Sequence, residues 1–148
     1  MHLNFINDLN IAVLAAAAVA GTTTITTSVI DTQGYDSVAI IAMTGDVTDT
    51  SVLTLTAQAG DESDGSDAVD LTSAIATFTA DATSGDNKLL IVDLHKPNAR
   101  YVRATLDRAT ANAVVSGVIA ILYNAHERPV TLDDVVVAAT LVNDPQPA

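Results

Sequence analysis

The chain has 148 residues, of which 49% are hydrophobic and only 3% aromatic, so a single core would be built from aliphatic side chains rather than rings. Its formal net charge of −12 opposes contact with phosphate backbones, which argues against a nucleic-acid partner. Cysteine is absent, which excludes disulfides, thiolate metal sites and cysteine nucleophiles.

Residues 1–20 are predicted to form an apolar N-terminal arm or short helix docked on protein. The run IAVLAAAAVAG has the length of a signal-peptide core, but the preceding MHLNFINDLN carries no Lys or Arg, and a positive flank is expected of a signal. A cleaved signal is the alternative. The run is too short to cross a membrane, so no membrane partner is expected. Its consecutive alanines favour a helix that ends at Gly21.

From Gly21 onward, β-branched and alternating segments separated by turn residues predict strands. These segments cover residues 22–30, 37–43, 52–58, 88–94, 100–107 and 113–123. Residues 71–78 fit either a strand or a two-turn helix, whereas 113–123 is apolar on both faces and predicts a central strand. The spacing predicts an all-β fold, a single antiparallel β-sandwich or jelly-roll-like domain over 21–129 that folds without its arms.

Residues 130–148 are predicted to form a C-terminal arm. After Pro129 a short acidic break leads into an apolar run at 135–142 with high β-propensity. An edge strand this apolar should be covered. It either completes the sheet of its own chain or reaches a neighbouring subunit, and the sequence leaves both open.

The stretch GDESDGSDAVD gathers Asp61, Glu62, Asp64, Asp67 and Asp70 with no basic residue. Its spacing does not fit the ligand register of a calcium loop, because Ser and Gly occupy two of the ligand positions. We predict a solvated loop whose first four acidic residues face water and are dispensable for the fold. A weak calcium site is the alternative.

The sequence offers no catalytic constellation, and we expect a chain that is not an enzyme and has no metal or cofactor. His2, His95 and His126 are too far apart in sequence to form a local metal motif. No serine lies in a nucleophile elbow, and neither Lys88 nor Lys96 belongs to a phosphate-binding loop.

The segment HKPNARYVRATLDR holds three of the four arginines of the chain. On a strand, alternate positions from Val102 to Leu106 would face the core, while Tyr101 and Arg103 would face outward. This outer face is either solvated, with Arg103 paired to Asp107, or a protein interface anchored by Tyr101 and Arg103. With the two arms included, the interface candidates are Tyr101, Arg103, Leu3, Phe5, Ile6, Val135, Val137 and Leu141.

Two longer stretches, SVIDTQGYDSVAIIAMTGDVTD and ARYVRATLDRATANAVVSGVIAILYNAHERPV, resemble small β-sandwich proteins encoded among the head genes of tailed bacteriophages. These are capsid decoration, or cement, proteins. The resemblance spans roughly residues 28–130 and rests on an ID-x-x-G-Y-D-S-V entry and on an RYVR strand followed by an apolar strand.

The resemblance implies a non-enzymatic virion protein that binds the outer surface of an assembled phage capsid and stabilises it. The implied partners are the major capsid protein and further copies of the chain, commonly as a homotrimer. The implied location is the capsid exterior, after synthesis in the host cytoplasm. The alternatives are a tail- or fibre-associated host-recognition β-module and an exported carbohydrate-binding or enzymatic domain.

Overall fold

A computed structural model describes residues 4–142 and residue 147. Those residues form one short helix and ten strands, which confirms the predicted all-β fold. The elements are α1 (Phe5–Asp8), β1 (Asn10–Ala15), β2 (Ala18–Gly21), β3 (Ile25–Thr26), β4 (Ile30–Asp31), β5 (Tyr35–Val47), β6 (Val52–Gly60), β7 (Val69–Thr79), β8 (Leu89–His95), β9 (Tyr101–Ala109) and β10 (Ala113–Ala125).

The strands form two antiparallel five-stranded sheets that pack face to face as a β-sandwich. Sheet A has the order β1-β10-β5-β8, and β2 also pairs with β10. Sheet B has the order β3-β9-β6-β7, and β4 also pairs with β9. The apolar segment at 113–123 therefore lies in a central strand, as its sequence predicted.

Alternation along the strands places the core between the sheets. Leu53, Leu55 and Ala57 of β6 are fully buried, and so are Val102 and Leu106 of β9. Both strands follow the predicted alternation, because each intervening side chain points away from the core. Among the described residues, no helix has both the length and the apolar character that a membrane crossing requires.

The helix predicted for the alanine run is wrong. Residues 10–15 and 18–21 form β1 and β2, which both pair with β10, and the only turn of helix in the described chain precedes them at Phe5–Asp8. Ala12 and Leu14 are buried in the core while Val13 points outward. Pairing with β10 and burial of alternate side chains outweigh the helix propensity of alanine, because tertiary contacts commonly override intrinsic propensity. The boundary expected at Gly21, between an N-terminal arm and the β-sandwich domain, therefore falls inside sheet A.

The threonine-rich segment 22–30 forms two very short strands instead of one long strand. β3 and β4 each pair with β9, and between them Thr27 exchanges hydrogen bonds with the main chain of Ala104. The ambiguous segment 71–78 is part of strand β7, with a register shift opposite Thr56 and Gln58.

After β10 the chain leaves the sheets and crosses the N-terminal residues. Arg128 pairs with the buried carboxylate of Asp8 at 3.1 Å, and the Val130 N–H donates to the carbonyl of Asn7. Residues 135–142 form no strand, so the alternative in which this apolar run completes its own sheet is wrong. Val137 is 95% exposed.

Candidate protein interface

The outer face of sheet A is apolar across four adjacent strands. Val13 of β1 lies opposite Ile119 of β10, which lies opposite Ile41 of β5, which in turn lies opposite Ile91 of β8. Val13 and Ile91 are each about half exposed. The outer faces of antiparallel sandwiches are ordinarily polar, so this row departs from the usual pattern.

Neighbouring rows extend this surface, which we call the apolar face. It consists of Ile11, Val13, Ala39, Ile41, Met43, Leu89, Ile91, Ile119 and Ile121. Nine positions on a sheet, each about 5 Å across the strands and 7 Å along them, cover roughly 300 Å². An apolar patch of that size is comparable to the largest patch of a monomeric protein, and such patches are often functional.

A polar cluster borders the apolar face at one end. The Tyr123 hydroxyl donates to the Asp93 carboxylate at 2.5 Å. The pKa of Tyr123 is raised, mainly by its partial burial and also by this contact with a carboxylate. Ser37 Oγ lies 2.9 Å from His95 Nδ1 and accepts a hydrogen bond from Asn124 Nδ2 at 3.1 Å. Ser37 is only 1% exposed, so its hydroxyl is enclosed by the residues of this cluster.

The outer face of sheet B is polar instead. It presents Thr54, Thr56 and Gln58 of β6 beside Arg103 of β9, whose Nε donates to Gln58 Oε1 at 2.7 Å. The alternative in which Arg103 pairs with Asp107 is wrong, because the Asp107 carboxylate accepts from the Thr24 hydroxyl and Arg103 contacts Gln58.

Tyr101 lies at the start of the same strand and is half-buried. The guanidinium of Arg100 stands over its ring at 5.1 Å from the centroid. Arg100 also donates to both carboxylate oxygens of Asp31, at 2.8 and 2.6 Å, and these bonds lower the pKa of Asp31. The predicted outward orientation of Tyr101 and Arg103 is correct, and both side chains already have partners within the chain.

The acidic loop faces water, as predicted. Asp61, Glu62, Asp64 and Asp67 are all exposed. The Asp67 carboxylate accepts hydrogen bonds from the N–H groups of Asp61 and Glu62 at 2.8 and 3.1 Å, and these lower its pKa. Within the described residues, no group of three or more His, Asp or Glu side chains is placed to hold a metal ion.

The remaining interface candidates lie on the two terminal segments. Leu3 is outside the described residues. Phe5 is exposed and Ile6 half-buried on α1, while Val135, Val137 and Leu141 are exposed on the C-terminal segment. Val135 lies beside Val13 at the β1 edge of sheet A, in a groove of about 440 Å³. The same groove is also lined by Asp31 of β4, the residue opposite Tyr101 in sheet B.

The apolar face is not among the features predicted from sequence, although the sequence contains a signal for it. The segments SVAIIAM and KLLIVDL of β5 and β8 are apolar at consecutive positions. A strand without alternation predicts that both of its faces are covered. Applied to β8, this rule indicates that its outer face also needs a partner.

Comparisons with known proteins identify no family. No protein-family model matches this sequence, and no curated protein matches it. One solved structure, titled "Structure of infectious bursal disease virus Gx strain", aligns at 15% identity with a TM-score of 0.47. The alignment covers 83% of this chain and 35% of that chain, so this chain spans about a third of that one. A likeness this distant carries no argument about function.

Proposed function

We propose that this chain is a structural virion protein that binds the outer surface of an assembled phage capsid and stabilises it. The observation that carries the proposal is the apolar face of sheet A. A surface of this size is unfavourable in water, and covering it with another protein removes it from solvent.

The two outer faces of the sandwich suit two different surroundings. The apolar face would lie against the major capsid protein, as the core of an interface with a polar rim. The polar face of sheet B and the acidic loop after β6 would point to solvent, where their charge favours solubility. The resemblance of residues 28–130 to decoration proteins supports the same orientation on the capsid exterior.

Stabilisation follows from mass action. A protein that binds the assembled lattice and not its free subunits shifts the equilibrium toward the lattice. Many symmetry-related copies, grouped as the homotrimer that the resemblance implies, would add their contributions. This role needs no enzymatic activity.

Binding to capsids assembled without this protein tests the proposal. We expect the wild-type chain to co-sediment with such capsids and to raise their melting temperature. Ile91→Asp places a charge on the β8 side of the apolar face and should weaken binding at least tenfold, which corresponds to about 1.4 kcal/mol.

Thr54→Asp is the matched control, because it adds the same charge to the outer face of sheet B. It should bind as the wild type does, and circular dichroism should show that both variants stay folded. Equal binding by the two variants, or no binding by the wild-type chain, would contradict the proposal.

A further inference from the structure

The C-terminal segment 135–142 has the chemistry of a strand but lacks a strand partner. Its sequence, VVVAATLV, is rich in β-branched residues and contains no charge. Beyond Val136, no main-chain hydrogen bond joins these residues to the rest of the described chain. Val137 is 95% exposed and Val142 58% exposed.

The free edge of β8 has the complementary property. β8 is the last strand of sheet A and pairs on one side only, with β5. Its outer side therefore presents main-chain N–H and C=O groups that can accept another strand. Leu89 and Ile91, which border that edge on the apolar face, are more than half exposed.

From these two features we propose that segment 135–142 of one copy adds as a strand to the β8 edge of a second copy. Addition of an extended segment to a sheet edge is a recurrent mode of recognition. Alternate side chains of the added strand, Val135, Val137, Ala139 and Leu141, would form a fifth apolar column beside Leu89 and Ile91. The other alternate set would cover the opposite side of the same edge.

Charge supports this pairing and favours β8 over β7, an edge strand of sheet B. β8 lies between Lys88 and Lys96, which are exposed and are the only lysines of the chain. Neither ammonium group lies within salt-bridge distance of a carboxylate among residues 4–142. Segment 135–142 follows Asp133 and Asp134 and precedes Asp144 in the sequence, so its acidic ends match the basic ends of β8 in either direction.

Strand β7, which forms one of the two edges of sheet B, is a poorer match. It has no basic residue within it or in the loop before it, which contains the acidic cluster. A strand preceded by two aspartates would be repelled there.

The position of the segment requires a second copy. The Asp133 N–H donates to Asn10 Oδ1 at 2.8 Å, which holds the start of the segment at the β1 edge of sheet A. β8 is at the opposite edge, with β10 and β5 between them. Donor and acceptor on opposite edges give head-to-tail contacts, which close into a ring when the rotation between copies allows it.

This inference does not depend on capsid binding, and it is tested with the purified full-length chain alone. The chain has no cysteine, so paired cysteines report contacts without background. We expect Val137→Cys combined with Cys at Leu89, Ile91 or Asp93 to form a disulfide between chains, because neighbouring strands bring Cα atoms within bonding range. Val137→Cys combined with Val69→Cys on β7 is the control and should stay unlinked.

Association measured by light scattering gives the second test. The wild-type chain should form an oligomer, and Val137→Pro, which removes a main-chain donor at a fully exposed site, should shift it to the monomer. Lys88→Glu with Lys96→Glu should weaken association at least tenfold, and adding Asp133→Lys and Asp134→Lys should restore part of it.

Val19→Asp is the control for a change at an exposed apolar residue outside segment 135–142, because Val19 is 86% exposed. This variant should associate as the wild type does. A wild-type chain that stays monomeric at every concentration, or disulfides that form equally with β7, would overturn the proposal. An oligomer that is indifferent to Val137→Pro would overturn it as well.

Discussion

Arg108 donates two hydrogen bonds to Thr23, one from Nε to the carbonyl oxygen and one from Nη2 to the hydroxyl, both at 2.9 Å. Its Nη1 donates to the carbonyl oxygens of Val19 and Ala113, both at 2.8 Å. The side chain is only 4% exposed. One buried guanidinium therefore joins β9 to β2, to the segment after β2, and to the start of β10.

We predict that Arg108→Met destabilises the fold by about 3 kcal/mol, because it leaves buried carbonyl groups without donors. Arg108→Lys should also destabilise it, since an ammonium group cannot reproduce the planar fork. Arg103→Met, on the outer face of the same strand, is the matched control and should cost less than about 1 kcal/mol. Urea unfolding of the three variants measures the differences, and equal losses for Arg103 and Arg108 would contradict this assignment.

Shortening the side chains of two adjacent residues of β1 should change the stability of the fold by different amounts. Leu14 is 3% exposed in the core, whereas Val13 is 50% exposed on the apolar face. We expect Leu14→Ala to destabilise the monomer by about 3 kcal/mol through lost burial and the cavity it leaves. Val13→Ala should change the free energy of unfolding by less than about 0.5 kcal/mol. A small effect of Leu14→Ala would mean that β1 is not part of the core in solution.

The ion pair between Asp31 and Arg100 should make stability depend on pH. The hydrogen bonds from Arg100 hold the pKa of Asp31 below its usual value. A carboxylate with a lowered folded-state pKa stabilises the fold above its unfolded pKa of about 3.9, and this contribution is lost as pH falls through the folded value. Because the pair is exposed, Asp31→Asn should cost only about 0.5 kcal/mol at neutral pH.

The difference in stability between Asp31→Asn and the wild type should then shrink as the pH falls below the unfolded pKa of Asp31. Thermal melts of both proteins across the acid range measure it. A difference that stays constant from neutral to strongly acid pH would show that the carboxylate charge is not the cause.

The acidic loop should tolerate loss of some carboxylates but not all. Asp61 and Glu62 donate main-chain hydrogen bonds to Asp67, and their own side chains face water. Asp61→Ser with Glu62→Ser should leave the melting temperature unchanged, whereas Asp67→Ser should lower it because two N–H groups lose their acceptor. Calcium should not change the melting temperature of the wild type. A calcium-dependent increase that disappears in Asp67→Ser would instead identify the loop as a metal site.

The sequence predicted the sandwich because most of its strands carry their own signal. Alternation in 52–58 and 100–107 predicted which side chains are buried, and β6 and β9 follow it. The doubly apolar 113–123 predicted a central strand, which β10 is. Local pattern fails where pairing partners decide the structure. The alanine run is a strand because β10 is available to pair with it, and no local feature of the run shows that partner.

Other features were hidden for a different reason. Arg108 occupies an inward-facing position at the end of β9, where sequence alone predicts a charged residue to be exposed. Its acceptors, Val19, Thr23 and Ala113, become neighbours only when both sheets are assembled. The apolar face likewise arises from the register of four strands, in which each strand contributes only two or three of its residues.

Truncation from each end should separate the two terminal segments by role. A chain starting at Thr22 lacks β1 and β2, buried Leu14, and the Val19 carbonyl that Arg108 binds. We expect it, and equally the fragment 21–129, to lose the cooperative melt, which reverses the expectation from sequence that 21–129 folds alone.

A chain ending at Asp134 keeps every strand and the contacts of Arg128, Val130 and Asp133 with the N-terminal residues. Its free energy of unfolding should stay within about 0.5 kcal/mol of the full-length monomer. Circular dichroism melts of both truncated chains decide the matter, and a folded chain starting at Thr22 would show that β1 and β2 are accessory to the sandwich.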